Sequence, residues 1–285
     1  MIAALLLCLV SAFAQTRERA SPGNASDERA NSPRERASAG YASYERANSL
    51  FVAKKFPECF EEIEKALLLD PGLVPALTLK AKLAIGLNRF DVARQSLEQA
   101  LKVAPSSWYA HFLMGFQYHL QNELQLALPE LAEARRLNPK DSKPPLYLGL
   151  THESLGDTDK ALAFYREAIR VEETAGAPQA DTLLTAARLL LLAGRLEECE
   201  KLIDRAVKLE PSHRDVHYER ARLLLRKQDA PSAAREGETA LRLPVTGITN
   251  WQIRYLLVRA YGLSGDERRA GEHAAALREE ERLAK

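Results

Sequence analysis

The best candidate for metal chemistry in this sequence is a pair of histidines four residues apart. His213 and His217 flank Asp215, and imidazoles at that spacing share one face of a helix, where they could hold a zinc ion. The segment follows Pro211, however, so a helix only begins there. A histidine pair without further ligands is usually solvated or capping. We therefore expect no metal at this place.

The sequence contains no other constellation that suggests catalysis. It lacks a glycine-rich phosphate loop, a nucleophile turn between strand and helix, and the paired-cysteine spacing of zinc sites. The remaining histidines are scattered at His111, His119, His152 and His273. The sequence therefore predicts a protein that is not an enzyme and that needs no cofactor.

The charge balance argues against a nucleic-acid partner. The chain has 40 basic and 39 acidic residues, with a net charge of +1. Basic and acidic residues alternate along the predicted helices, so no basic stripe for phosphate binding is formed. Binding that depends on charge must come from local patches.

A repeat of about 34 residues must position any binding side chains. Small residues recur in three ladders, offset by twelve and then seven residues, where closely crossing helices leave room only for Gly, Ala or Cys. The last repeat departs from this pattern, with Val258 and Leu277 in place of small residues. The first ladder is Ala47, Ala81, Gly115, Gly149, Ala187, Ala221 and Val258. The second is Cys59, Ala93, Ala127, Ala161, Cys199, Ala233 and Ala270. The third is Ala66, Ala100, Ala134, Ala168, Ala206, Ala240 and Leu277.

Residues typical of helix ends recur in the same register. Five residues before each member of the second ladder stand Lys54, Asn88, Asn122, Gly156, Gly194, Gln228 and Gly265. Five of these seven are Gly or Asn, which suit the left-handed residue that ends a helix. Prolines at Pro71, Pro105, Pro139 and Pro211 follow the second helix of a repeat, which a proline stops. The pattern predicts paired helices throughout.

This combination of ladders resembles the tetratricopeptide repeat, with repeats that begin at Gly40, Val74, Trp108, Ser142, Ala180, Arg214 and Trp251. The resemblance implies an all-α fold, a right-handed superhelical solenoid of about six to seven helix pairs. Insertions follow repeats four and six, at 176–179 and 248–250. The charged second helix of the last repeat is expected to cap the array.

In this family the first helix of each pair lines a concave groove, and the resemblance implies which side chains face it. In the N-terminal half they are mostly aromatic: Tyr41, Tyr44, Asn48, Tyr109, Phe112 and Phe116. In the C-terminal half, arginines stand beside tyrosines: Arg188, Tyr218, Arg222, Tyr255 and Arg259. Arginines pair with carboxylates, and aromatic rings provide rigid anchor area. The alternatives are arginines paired with Asp181, Asp215 or Glu219, and aromatics packed on the neighbouring helix.

The implied function is a protein-interaction scaffold that binds an unidentified peptide or partner protein in this groove. The alternative is a structural component of an envelope or secretion complex, held by its convex face or its ends. Cys59 and Cys199 fall on one ladder position, four repeats apart, so we expect buried thiols and no disulfide between them.

The first fourteen residues are apolar and uncharged, too short to span a bilayer, and end in Ala12-Phe13-Ala14, which fits a signal-peptide cleavage site. We expect residues 1–14 to be removed and the chain to be secreted or periplasmic, without later membrane insertion. A membrane anchor through residues 1–14, a lipid anchor at Cys8, and a cytoplasmic chain are the alternatives.

Residues 17–33 and 34–50 are near copies, with thirteen of 17 positions identical. The downstream copy has Tyr41, Tyr44 and Leu50 where the upstream copy has Asn24, Asp27 and Pro33. Only the downstream copy can therefore bury an apolar stripe. We expect the downstream copy to be a folded helix and the upstream copy to be a flexible linker, or a short frayed helix within 17–32. The expected domain bounds are 15–39 for the linker and 40–285 for the repeat array.

Overall fold

The computed structural model describes residues 33–283, which form fourteen helices and no strand. The helices are α1 (Pro33–Val52), α2 (Phe56–Leu69), α3 (Val74–Gly86), α4 (Phe90–Val103), α5 (Trp108–Leu120), α6 (Leu124–Leu137), α7 (Lys143–Ser154), α8 (Thr158–Thr174), α9 (Ala180–Leu192), α10 (Leu196–Leu209), α11 (Arg214–Arg226), α12 (Ala230–Arg242), α13 (Asn250–Ser264) and α14 (Glu267–Leu283). Each odd-numbered helix and its successor form one repeat. The prediction of an all-α fold with about seven helix pairs is confirmed.

The helices divide into two compact units, α1–α6 and α7–α14. The first unit contains three helix pairs, and in it α3 contacts both α1 and α5. The second unit contains four pairs, and in it α11 contacts both α9 and α13. The first helices α1, α3 and α5 therefore lie side by side in the first unit, and α9, α11 and α13 lie side by side in the second.

The turn inside each pair depends on a left-handed residue. All seven positions predicted from the sequence have positive φ, from 56° at Asn88 to 80° at Gly265. Lys54 and Gln228 adopt this conformation with ordinary side chains, at φ of 59° and 63°. The repeat register thus fixes the backbone conformation even where the residue is neither Gly nor Asn.

The small-residue ladders occupy the helix crossings, as predicted. The first six members of the second ladder are fully buried, and so are the first six of the third. At Gly149 the fit is close, because a Cβ atom built there would lie 2.5 Å from the ring of Tyr165. Tyr165 is itself fully buried, so it could not move aside easily.

The helices at the two ends of the described residues are α1 and α14. Helix α1 begins at Pro33, so residues 34–39, which fall inside the expected linker bounds, belong to the helix expected for the downstream copy. The expected signal peptide and the rest of the linker lie outside the described residues. Helix α14, expected to cap the array, contains no fully buried residue. Between residues 33 and 283, no helix is both long and apolar enough to cross a membrane.

Candidate functional site

The C-terminal set of predicted groove residues lies on α9, α11 and α13. Arg188, Arg222 and Arg259 occupy the same position of three successive repeats, and Tyr218 and Tyr255 stand four residues before the last two. Because these three helices lie side by side in the second unit, the side chains share one face. Four of the five, all except Arg188, line a single pocket.

Two of the three arginines are held by one buried carboxylate. Arg188 Nε donates to Glu219 Oε1 at 2.7 Å, and Arg222 Nη1 donates to Glu219 Oε2 at 2.7 Å. The Glu219 side chain is only 3% exposed, whereas Arg188 and Arg222 are 39% and 33% exposed. Pairing with Glu219, one of the alternatives from the sequence, is therefore what the structure has at these two positions.

Arg259 differs from the other two. It is exposed, and within residues 33–283 no carboxylate forms an ion pair with it. The same holds for Arg226, an exposed arginine at the end of α11 that the sequence analysis did not select. Both arginines line a cavity of about 340 Å³. They are free to pair with an anion that enters it.

The remaining wall of this pocket is apolar and aromatic. Apart from Arg222, Arg226 and Arg259, its lining residues are Leu191, Leu192, Tyr218, Leu225, Tyr255 and Leu256. Tyr255 is 63% exposed and stacks on Trp251, with ring centroids 5.8 Å apart. Trp251 is itself 43% exposed. Such exposed, mutually supported rings are typical of interface anchors.

A second row of side chains runs along the edge of this face. It consists of Leu192, Arg226 and Leu263, which occupy the same position of three successive repeats near the ends of α9, α11 and α13. We call these three residues the edge row. Leu192 and Leu263 are 66% and 63% exposed. The sequence register could have identified this row, because each of the three residues stands four residues after one of the arginines Arg188, Arg222 and Arg259.

In the first unit, the predicted aromatic groove residues divide into packed and exposed groups. Phe112 is 6% exposed and stacks between Tyr109 and Phe116, at centroid distances of 6.2 and 6.1 Å. It therefore packs within the helix layer and offers little surface to a partner. Tyr41 is 48% exposed and lies 5.6 Å from the half-buried Tyr44.

Asn48 is exposed on the same helix as these two tyrosines. On the neighbouring first helix, Lys82 Nζ lies 4.4 Å from the ring centroid of Phe51. A cation over an aromatic face is attracted by the ring, so Lys82 is engaged within this surface. Of the predicted N-terminal set, Tyr41 and Asn48 are the most available for contact.

His213 and His217, the histidine pair of the sequence analysis, have different interaction partners. His217 Nδ1 lies 2.7 Å from Glu236 Oε2, and its Nε2 lies 2.8 Å from the carbonyl oxygen of Pro211. Both ring nitrogens are thus occupied by structural hydrogen bonds. His213 Nε2 is 3.9 Å from carboxylate oxygens of Asp181 and Glu210. The part of the chain that the structure describes has no cluster of three or more metal-binding side chains.

Both described cysteines are free and buried. Burial raises the pKa of the Cys59 thiol to about 11. Burial, with a smaller contribution from Glu219, raises the pKa of the Cys199 thiol to about 12. Cys199 Sγ also donates to the carbonyl oxygen of Ala187 at 3.3 Å. Thiols in these environments are poor nucleophiles.

Comparison with known proteins agrees with this architecture. A family profile described as "Tetratricopeptide repeat" matches residues 78–142 and 121–180, and a second profile of the same description matches 154–223. The matches run from residue 78 to residue 223, about half of the chain. They include α5–α10 and almost all of α11, and so most of the pocket-forming helices.

One curated relative is the TPR repeat-containing protein MJ1428 of Methanocaldococcus jannaschii, 26% identical over 129 residues. The aligned region is 45% of this chain but only 22% of that protein, so the chain spans about a fifth of the relative's length. The likeness therefore concerns the repeats and not the whole relative.

Solved structures show the same fold. PilW, described as a widely conserved type IV pilus biogenesis factor, superimposes with a TM-score of 0.67 at 18% identity, over 76% of this chain and 98% of PilW. PilF of Pseudomonas aeruginosa gives a TM-score of 0.64 at 19% identity, over 73% and 93% of the two chains. At these identities the likeness concerns the fold alone. Together with the profile matches and the seven helix pairs, it shows that the chain belongs to the tetratricopeptide-repeat family.

Proposed function

We propose that this protein is an interaction scaffold that binds a peptide segment of a partner protein along α9, α11 and α13. The observation that carries the proposal is the pocket of about 340 Å³ beside the exposed Tyr255 and Arg259. Rigid aromatic area and an available guanidinium group are the features by which protein interfaces anchor a partner. Scaffolding of protein partners is also what repeat arrays of this family do, and it requires no catalytic group.

In this proposal the first helices of the first unit carry a separate contact surface. Tyr41 and Asn48 present an aromatic ring and an amide on α1. Tyr44, Tyr109, Phe112 and Phe116 are more deeply packed, so we assign them to the support of that surface. The pocket on α9, α11 and α13 remains the primary site in this proposal.

The second candidate function is that of an assembly component that is held through its second helices. Two apolar side chains on second helices of the first unit support this alternative: Leu68 on α2 is 84% exposed, and Val103 on α4 is 55% exposed. PilW, described as a pilus biogenesis factor, has the same fold. We also propose that a signal peptide at residues 1–14 directs export of the protein, which is compatible with either function.

Two double variants distinguish these functions. The full chain carrying an affinity tag would be expressed in its own cells, and co-purified proteins would be identified by mass spectrometry. We expect Trp251→Ala/Tyr255→Ala to lose the partner, and Leu68→Ala/Val103→Ala to retain it. Loss with the second variant alone would favour the assembly role. Equal retention by both variants would refute a role for either surface, provided that thermal melts show both to be folded.

A further inference from the structure

The pocket on α9, α11 and α13 has an excess of positive charge that the protein does not neutralise. Its only charged lining residues are Arg222, Arg226 and Arg259. The nearby Glu219 uses one carboxylate oxygen for Arg188 and the other for Arg222. Of the four guanidinium groups in or beside the pocket, Glu219 therefore pairs with two, and Arg226 and Arg259 have no ion-pair partner among residues 33–283. In a chain of net charge +1, this is a local and specific excess of positive charge.

The carboxylate also fixes which arginines are available. Because Glu219 is buried and occupied on both oxygens, Arg188 and Arg222 are held in place as part of the wall. Arg226 and Arg259 are exposed and have no such anchor. An incoming anion would thus meet Arg226 and Arg259. Of the three equivalent arginines expected from the sequence, only Arg259 is available to an anion, and Arg226 takes the place of the other two.

The edge row places one charged residue between two apolar residues. From α9 to α13 it reads Leu192, Arg226 and Leu263, with both leucines largely exposed. Neighbouring packed helices lie about 10 Å apart, and an extended chain advances about 3.3 Å per residue. A peptide that crosses the three helices would therefore meet a new member of the edge row about every three residues.

We propose that this face binds an extended acidic peptide segment in which one carboxylate side chain is flanked, about three residues to either side, by bulky apolar side chains. The carboxylate pairs with Arg226, with Arg259 beside it, and the apolar side chains lie on Leu192 and Leu263. Tyr255 covers the backbone between them. This inference rests on the proposed function and states which peptide sequence the site selects.

The test is selection of a phage-displayed random dodecapeptide library on the full chain. We expect enrichment of sequences with an Asp or Glu flanked by Leu, Ile, Met or Phe at about three-residue spacing. The affinity of a selected peptide, measured by fluorescence anisotropy, should fall about tenfold to a hundredfold for Arg226→Gln, the loss of one charge-assisted hydrogen-bonded pair. Arg170→Gln, at an exposed arginine on α8 outside the pocket, should leave it unchanged.

A charge exchange separates recognition from a structural effect. Arg226→Glu should bind the selected peptide poorly and should bind better once the peptide's acidic residue is replaced by Lys. Enriched peptides without acidic residues, bound equally by wild type and by Arg226→Gln/Arg259→Gln, would overturn this inference and leave the proposed function intact. Enrichment of no peptide at all would count against the proposed function itself. Binding only to phosphatidylglycerol vesicles, lost in the double variant, would replace the peptide by a membrane surface.

Discussion

His217 Nδ1 lies 2.7 Å from Oε2 of Glu236, a residue on the partner helix of the same repeat. The opposite ring nitrogen meets the carbonyl oxygen of Pro211, at the turn from the preceding repeat. One imidazole thus joins α11, α12 and the preceding turn. His111 repeats this arrangement in the first unit, at 2.7 Å from Glu130 and 2.9 Å from the carbonyl oxygen of Pro105. The histidine is therefore a structural cross-link between repeats.

The His217 cross-link should make stability depend on pH. The hydrogen bond to Glu236, aided by the one to Pro211, raises the pKa of His217 above its usual 6.5, although burial and Arg220 act in the opposite direction. A raised pKa in the folded state means that the charged pair stabilises below the ordinary histidine pKa, and that this stabilisation is lost as pH rises through the raised pKa. The pKa of Glu236 is lowered by the same bond, so its carboxylate stays ionised in this range.

We therefore expect His217→Gln to lower the free energy of unfolding more at about pH 5.5 than at about pH 9, where the wild-type imidazole is neutral. Urea unfolding at the two pH values measures the difference. An equal loss at both pH values would show that protonation of His217 adds no stability, and would contradict this prediction.

Gly149→Ala should strain the crossing between α7 and α8. The new methyl group would lie 2.5 Å from the ring carbons of Tyr165, which is fully buried and donates to Glu153. Overpacking of this kind costs about 1–3 kcal/mol. Gly262→Ala in α13 is the matched control, because no atom lies within 4 Å of the new Cβ. There we expect a gain of about 0.5–1 kcal/mol from helix propensity. Thermal melts that rank the two variants in the opposite order would contradict the packing described here.

The backbone of the repeats could be predicted from the sequence because similar residue types recur at equivalent positions of successive repeats. The position that ends the first helix adopts positive φ in all seven repeats, including Lys54 and Gln228. The small residues at the crossings also recur at equivalent positions. They are buried there because the separation of two packed helices depends on the side chains at the contact. Regularities of this kind depend on spacing along the chain.

The arginine pairing could not be predicted in the same way. Arg188 and Glu219 are 31 residues apart and belong to different repeats, and Asp181 and Asp215 were equally plausible partners on spacing alone. In the structure Asp215 instead accepts from the backbone N–H of Ile248 at 3.3 Å. It therefore holds the loop that carries the insertion after repeat six. Rotamers and loop paths decide such pairs, and neither follows the repeat period.

Glu219→Gln should destabilise the second unit while leaving its fold intact. The substitution removes the charge that holds both Arg188 and Arg222, but each arginine is about a third exposed and can turn to water. The loss should therefore be about 1–3 kcal/mol, below that of a fully buried pair. Glu279→Gln, at an exposed carboxylate that pairs with Arg282, should cost about 0–1 kcal/mol. Urea unfolding of both variants tests this, and equal effects would mean that Glu219 contributes no more than a surface pair.

The two buried cysteines should resist alkylation until the helices separate. Burial raises the pKa of the Cys199 thiol to about 12, so very little of it is thiolate at pH 8, and its sulfur is covered at the crossing of α9 and α10. Iodoacetamide should therefore label neither Cys59 nor Cys199 in the native protein within the time that labels glutathione. Both should be labelled in concentrated urea. Peptide mapping by mass spectrometry assigns each site and separates them from Cys8. Rapid native labelling of Cys199 alone would show that α9 and α10 open locally, and would place that opening directly beneath the proposed peptide-binding face.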